Sequence, residues 1–135
     1  MMEEKLRVLR VIHVALLLSC LLYAYIGKVV GPKEPGDVQI FLIAFAFLGV
    51  TDVGIAMVLR SRIVGSAEEV LRQSPADALA LQRWMSGHFI GYAMAEAVAL
   101  FGLVLRMLGG TLVQALPFYG AAVLLLLMWM PRKPE

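Results

Sequence analysis

Residues Trp84–Leu108 read WMSGHFIGYAMAEAVALFGLVLRML. A membrane span needs about 20 mostly apolar residues, and this stretch supplies them as one uninterrupted run. In its middle stands a carboxylate, Glu96, with His88 and Tyr92 two turns and one turn before it. Residues four apart share a helix face, so the three polar groups are predicted to rise along one side of one helix. An ionisable residue inside a bilayer is costly and marks a functional-site hypothesis by default.

The rest of the chain has the same character. Of 135 residues, 61% are hydrophobic and only 16% charged, against about 45–50% and about 25% in soluble domains. The excess gathers in four blocks, Val11–Ile26, Val38–Leu59, Trp84–Leu105 and Thr111–Met130. The first becomes long enough when Leu6–Arg10 and Gly27–Val30 complete it, with Arg10 and Lys28 snorkelling to the headgroups. The predicted fold is an all-α membrane domain covering residues 1–135. It is a bundle of four transmembrane helices, with spans at about 8–29, 38–60, 78–108 and 111–130. The first block has the basic start and apolar core of a signal peptide. No small-residue cleavage site followed by a soluble chain comes after it, and it is expected to remain as an anchor.

Charge gives the orientation. Of the 12 Lys and Arg residues, Lys5, Arg7, Arg10, Arg60, Arg62, Arg72, Arg83, Arg132 and Lys133 fall on one side of this plan; Lys28, Lys33 and Arg106 fall on the other. The positive-inside bias puts both termini and the middle loop in the cytoplasm. A net charge of +2 is too small and dispersed to imply nucleic acid. Cys20, the single cysteine, lies within the first span as a small apolar filler.

Between the spans the signals are local. Asp37 is the expected N-cap of the second helix. Ser66-Ala67-Glu68-Glu69 resembles a cap followed by first-turn acids, which predicts a short separate cytoplasmic helix between helices 2 and 3. Ser74-Pro75 then opens the third helix, from about Pro75 to Leu108. Gly109-Gly110 makes the last turn, Pro117 bends the fourth helix, and Tyr23, Tyr25, Trp84 and Trp129 suit the membrane interfaces.

Depth follows from the cytoplasmic arginines. At ~1.5 Å per residue, His13 and His88 lie roughly 5–8 Å inside, Asp52 about 12 Å and Glu96 about 20 Å. Together they form a polar ladder from the cytoplasm to mid-bilayer. Glu96, Asp52, His88 and Tyr92 are the proton-handling candidates. Beside them Gly87, Gly91, Ala95 and Ala99 form a small-residue ridge of the kind that lets helices approach closely.

The segment HFIGYAMAEAVALFGLVL, His88–Leu105, resembles the carboxylate-bearing helix of the rotary ATP synthase c subunit. Phe89-Ile90-Gly91, Ala93, Glu96-Ala97 and Gly102-Leu103-Val104 match that family's motif. Arg72-Gln73-Ser74-Pro75 is similar to its cytoplasmic loop, with Ser74 inserted. The resemblance covers about a third of the chain and implies an ion-carrying role for Glu96. Ala97 and Phe101, where sodium-type rings place a hydroxyl and a tyrosine, make that ion a proton. The alternating glycines of a c-subunit first helix are replaced by Gly49 and Gly54 alone, and two further spans flank the hairpin. The whole chain resembles small four-helix bacterial membrane proteins carrying such a hairpin, for which no settled activity is implied.

Three functions fit these features. One is a small non-catalytic subunit at the edge of a larger bioenergetic complex, associating with other membrane subunits or itself. A second is a c-like protein moving protons through Glu96. A third is a b-type haem protein with His13 and His88 as axial ligands, two histidines on separate helices being the minimum for such a site. No nucleophile–base pair, metal-ligand cluster or phosphate loop is present, so no enzymatic activity is expected, and no cofactor on the first two readings.

Overall fold

The computed structural model describes residues 2–133. It contains four helices: α1 (Met2–Val30), α2 (Gln39–Gln73), α3 (Ala78–Met107) and α4 (Leu112–Met128). The first three are long and apolar enough to cross a membrane. The fourth has 17 residues, about 26 Å at ~1.5 Å per residue, and is the most apolar of the four.

α3 is the hub. It packs against each of the other helices, while α1 and α4 also pack on one another. α2 lies along α3 and reaches α4 around Gly49, which faces the Phe118 ring. The reason is visible in the residues. α3 buries Gly87, Gly91, Ala95, Ala99 and Gly102, so its backbone can be approached from several sides. A Cβ at Gly87 would stand 2.5 Å from Val64 Cγ2 of α2. One at Gly91 would meet Arg60 Cδ at 3.0 Å and Trp129 Cε3 at 3.2 Å. In a bilayer, where apolar side chains gain little by leaving lipid for protein, such close approach supplies much of the association. α1 answers with a narrower seam: Leu6, His13, Cys20 and Gly27 are buried at intervals of seven, with Leu9 beside them.

The segment between the second and third spans differs from expectation. No separate short helix forms there; α2 continues unbroken to Gln73. Ser66, the expected cap, instead donates from Oγ to the Ile63 carbonyl at 3.2 Å, a bond made from within a helix. Gly65 costs only about 1 kcal/mol in a helix interior. Against that small cost Val64, Ala67 and Leu71 join one apolar core with Ala80, Leu81 and Trp84 of α3. Arg72 ties the last turns together through Glu69 at 3.1 Å and Glu68 at 4.0 Å. The turn is Ser74–Asp77, and α3 starts at Ala78, with Asp77 Oδ1 accepting from the Ala80 amide at 2.9 Å.

Other ends follow their capping chemistry. Asp37 is not the N-cap of α2; that position is Val38, buried and without a side-chain cap, while Asp37 Oδ1 accepts only from the Gln39 amide at 3.3 Å. α4 has a complete capping box. Thr111 Oγ1 accepts from the Gln114 amide at 3.2 Å, and Gln114 Oε1 accepts from the Thr111 amide at 2.9 Å. Just before it Gly109 takes φ +106° and offers its carbonyl to the Gly36 amide at 2.9 Å. That link joins the 31–38 and 108–111 connections at one end of the bundle.

Gly102 provides the sharpest test of this packing. A Cβ there would lie 2.9 Å from Tyr119 Cε1 and 3.0 Å from Phe118 Cβ, whereas one at Gly54 meets nothing within 4 Å. Gly102→Leu should therefore lower the unfolding temperature in detergent, with an overpacking cost of about 1–3 kcal/mol. Gly54→Leu should leave it unchanged or raise it slightly, because glycine is the poorer helix former.

Candidate functional site

The polar side chains inside the bundle fall into three groups along α3. The first lies toward the Ser74–Asp77 end and draws on all four helices. His13 of α1 contacts the backbone carbonyl of Leu126 in α4 through Nε2. A carbonyl only accepts, so Nε2 carries the proton and donates. Tyr92 of α3 donates its hydroxyl to the Trp129 carbonyl at 3.3 Å. Arg60 of α2 approaches His88 Nδ1 at 3.4 Å through Nη2, a long bond, and its guanidinium lies 5.2 Å from the centre of the Trp129 ring. Arginine can only donate. His88 Nδ1 is thus the acceptor, which leaves the proton on Nε2.

Rings fill the spaces between these bonds. Tyr92 packs against His13 at 5.6 Å and against His88 at 5.9 Å, centre to centre, and Trp84 meets His88 edge-on at 4.7 Å. Trp84, Tyr92, His13 and His88 are all buried. The cluster is incompletely satisfied: His88 Nε2 and Arg60 Nε are shielded and have no hydrogen-bond partner.

The second group surrounds Glu96, one turn further along. Its carboxylate is half-buried and faces α1, with Cys20 Sγ at 3.7 Å from Oε2 and the Tyr23 hydroxyl against the same group. Its neighbours are neutral donors; none of the ion pairs among the described residues includes it. The third group lies at the far end. Arg106 donates to the Gly110 carbonyl at 2.7 Å, and its aliphatic stem packs on Gly27 together with the Tyr119 hydroxyl.

The proposed ladder is thus brought together in part. His88, Tyr92 and His13 share one cluster, and Glu96 continues it along the α1–α3 seam. Asp52 does not join. It is carried by α2, which has no extended packing with α1, and its shielded Oδ2 has no hydrogen-bond partner. The two histidines meet in one cluster, with Tyr92 packed on both rings. Among the described residues no group of three or more His, Cys, Asp or Glu is placed to hold a metal ion.

Several partners were not identified by sequence reasoning. Trp84 and Trp129 are buried core residues, not membrane-interface anchors. Trp84 donates to Glu68 at 3.3 Å, and the Trp129 ring lies beneath Arg60. Tyr23 serves Glu96, leaving Tyr25 exposed as a surface ring. Arg60 stands at the depth of His88 on a neighbouring antiparallel helix, and that shared depth is the available sequence signal for the pair. The Leu126 and Trp129 carbonyls have none, because any residue presents one.

No protein-family model, no curated protein and no solved structure matches the chain.

The hydroxyl and imidazole bonds to α4 can be separated by mutation. Tyr92→Phe keeps the ring packing and removes one buried bond; such bonds between membrane helices average about 0.6 kcal/mol, so a small fall in detergent unfolding temperature is expected. His13→Leu should fall further, since the Leu126 carbonyl then loses its partner in a dry site, at about 1–3 kcal/mol.

Proposed function

We propose that this protein is a small non-catalytic integral subunit of a larger complex in the bacterial inner membrane. In this reading all four helices cross the bilayer, α4 with its flanking residues included. Both termini and the α2–α3 turn are cytoplasmic, following the distribution of Lys and Arg.

The observation that carries the proposal is the state of α2. Only 11% of its most apolar stretch is buried, against 44% for α3. Lipid can cover an exposed apolar helix, so exposure alone decides nothing. Two further features favour protein. Asp52 is a half-buried acid on α2 that pairs with no cation among the described residues, and hydrocarbon offers it no partner. On the α4 side, α2 also forms an apolar groove of about 380 Å³, walled by Ala46, Gly49 and Val53 opposite Pro117, Phe118 and Ala121. Small residues beside a concave apolar wall are the usual seat for another transmembrane helix. A partner helix carrying a hydrogen-bond donor at the depth of Asp52 would satisfy the second helix.

Extraction in a mild detergent should bring the protein out with larger membrane subunits. Ala46→Trp, at an exposed position on the groove wall, should release them while the isolated protein melts as before. A monodisperse monomer from native membranes, free of any companion, would refute the assignment.

A second reading rests on Glu96, whose half-buried carboxyl faces only neutral donors. An acid within a span, with no cation paired to it among the described residues, is the arrangement that proton handling in the manner of the c subunit requires. Dicyclohexylcarbodiimide should then label the protein near neutral pH and fail to label Glu96→Gln. Equal labelling of both, or of neither, would remove this reading.

A further inference from the structure

Where α1 begins and the chain leaves α4, Arg7, Arg10 and Lys133 line a cleft of about 370 Å³ together with Glu3 and Leu6. The contact of His13 with the Leu126 carbonyl holds these ends side by side, since Arg10 lies one turn before His13 and Lys133 follows soon after α4. Three cations face one acid there. Lys133 reaches Glu3 at 4.0 Å, an exposed and weak pair. Arg7 and Arg10 are exposed and have no ion-pair partner among the described residues.

The surface beyond the cleft is complementary in a second way. Arg7 and Arg10 are three residues apart on one face of α1, and that face continues at four-residue steps through Val14, Leu18 and Leu22. These are exposed by 54%, 60% and 53%. A cationic notch thus opens onto an apolar lane running down the same helix.

We propose that this cleft binds the phosphate of an anionic glycerophospholipid, with the acyl chains lying along Val14, Leu18 and Leu22. Arginine side chains chelate phosphate oxygens through paired N–H donors. The cations that remain after Glu3 is paired match a lipid with net negative charge better than a zwitterionic one. The apolar lane distinguishes a lipid from free phosphate, which has nothing to place there. The inference requires only that the chain sits in a bilayer; it does not depend on the subunit reading.

Native mass spectrometry of the full-length protein in detergent tests it, with three probes. These are phosphatidylglycerol, phosphatidylcholine of identical chains, and chain-free glycerophosphoglycerol. One phosphatidylglycerol per chain should be retained, phosphatidylcholine far less, and the chain-free headgroup not at all. With about 1 kcal/mol per basic residue near the surface, the triple change Arg7→Gln, Arg10→Gln, Lys133→Gln should weaken retention on the order of a hundredfold. The double change Arg62→Gln, Arg83→Gln removes exposed cations elsewhere and should retain the lipid. Arg7→Lys with Arg10→Lys, preserving charge, should keep most of the binding and guards against loss through misfolding. Equal retention of both lipids, tight binding of the chain-free headgroup, or equal loss in the Arg62/Arg83 variant would overturn the proposal.

Discussion

The backbone of α3 has to be reachable from every side, and the rest of the bundle depends on that. Where Gly87 meets Val64, Gly91 meets Arg60 and Trp129, and Gly102 meets Tyr119 and Phe118, α3 places no side chain of its own between itself and its neighbours. Larger residues at those three positions would hold α2 and α4 off by the width of a side chain. The consequences would then spread beyond packing. Arg60 reaches His88, and Tyr92 reaches the Trp129 carbonyl, only because the intervening glycine lets the neighbouring elements come in close. Close packing and the polar contacts are therefore two aspects of one arrangement.

That arrangement distributes polar groups by the face of α3 they occupy. His88 and Tyr92 point into the four-helix cluster, where α4 contributes two backbone carbonyls as acceptors. Glu96, though it follows at the same interval, is met by α1 through a thiol and a phenol. Four residues per step overshoots the helical repeat of 3.6 slightly, so such a row drifts around the axis. Over two steps the drift is enough to change which neighbour a side chain meets. Asp52 is left outside because it sits on α2, whose extended packing is on α3 and not on α1.

Much of the fold was legible in the sequence because hydropathy acts over long stretches. Each apolar block corresponds to a helix, and Gly109-Gly110 marks the turn before the last of them. What misled was the reading of short polar signals in isolation. Ser66-Ala67-Glu68-Glu69 has the composition of a helix start, yet Val64, Ala67 and Leu71 lie on a face that α3 buries, and tertiary packing carried the helix through. Trp84 and Trp129 suited an interface by type and position, but Gly91 makes room for Trp129, while Trp84 packs on His88 and donates to Glu68. For the site, the α3 residues could be named in advance, whereas their partners could not. Cys20 looked like filler because nothing local indicated that α1 would turn it toward Glu96.

At 35 residues α2 is about 52 Å long, while the hydrocarbon layer is about 30 Å thick. Tilts of 0–40° cannot hide the difference, so in a chain that spans a bilayer one end of α2 stands in water. Arg62, Glu68, Glu69 and Arg72 identify it as the end near Ser74. Hydropathy alone draws the segment from Arg60 to Arg83 as a loop, a natural place for a protease site, an epitope tag or a fused reporter. In the folded chain nearly all of it is paired helix, and only Ser74–Asp77 lies outside helical geometry. Because cleavage and insertion are tolerated at loop tips rather than within packed helices, a topology reporter on this side has a landing place four residues wide.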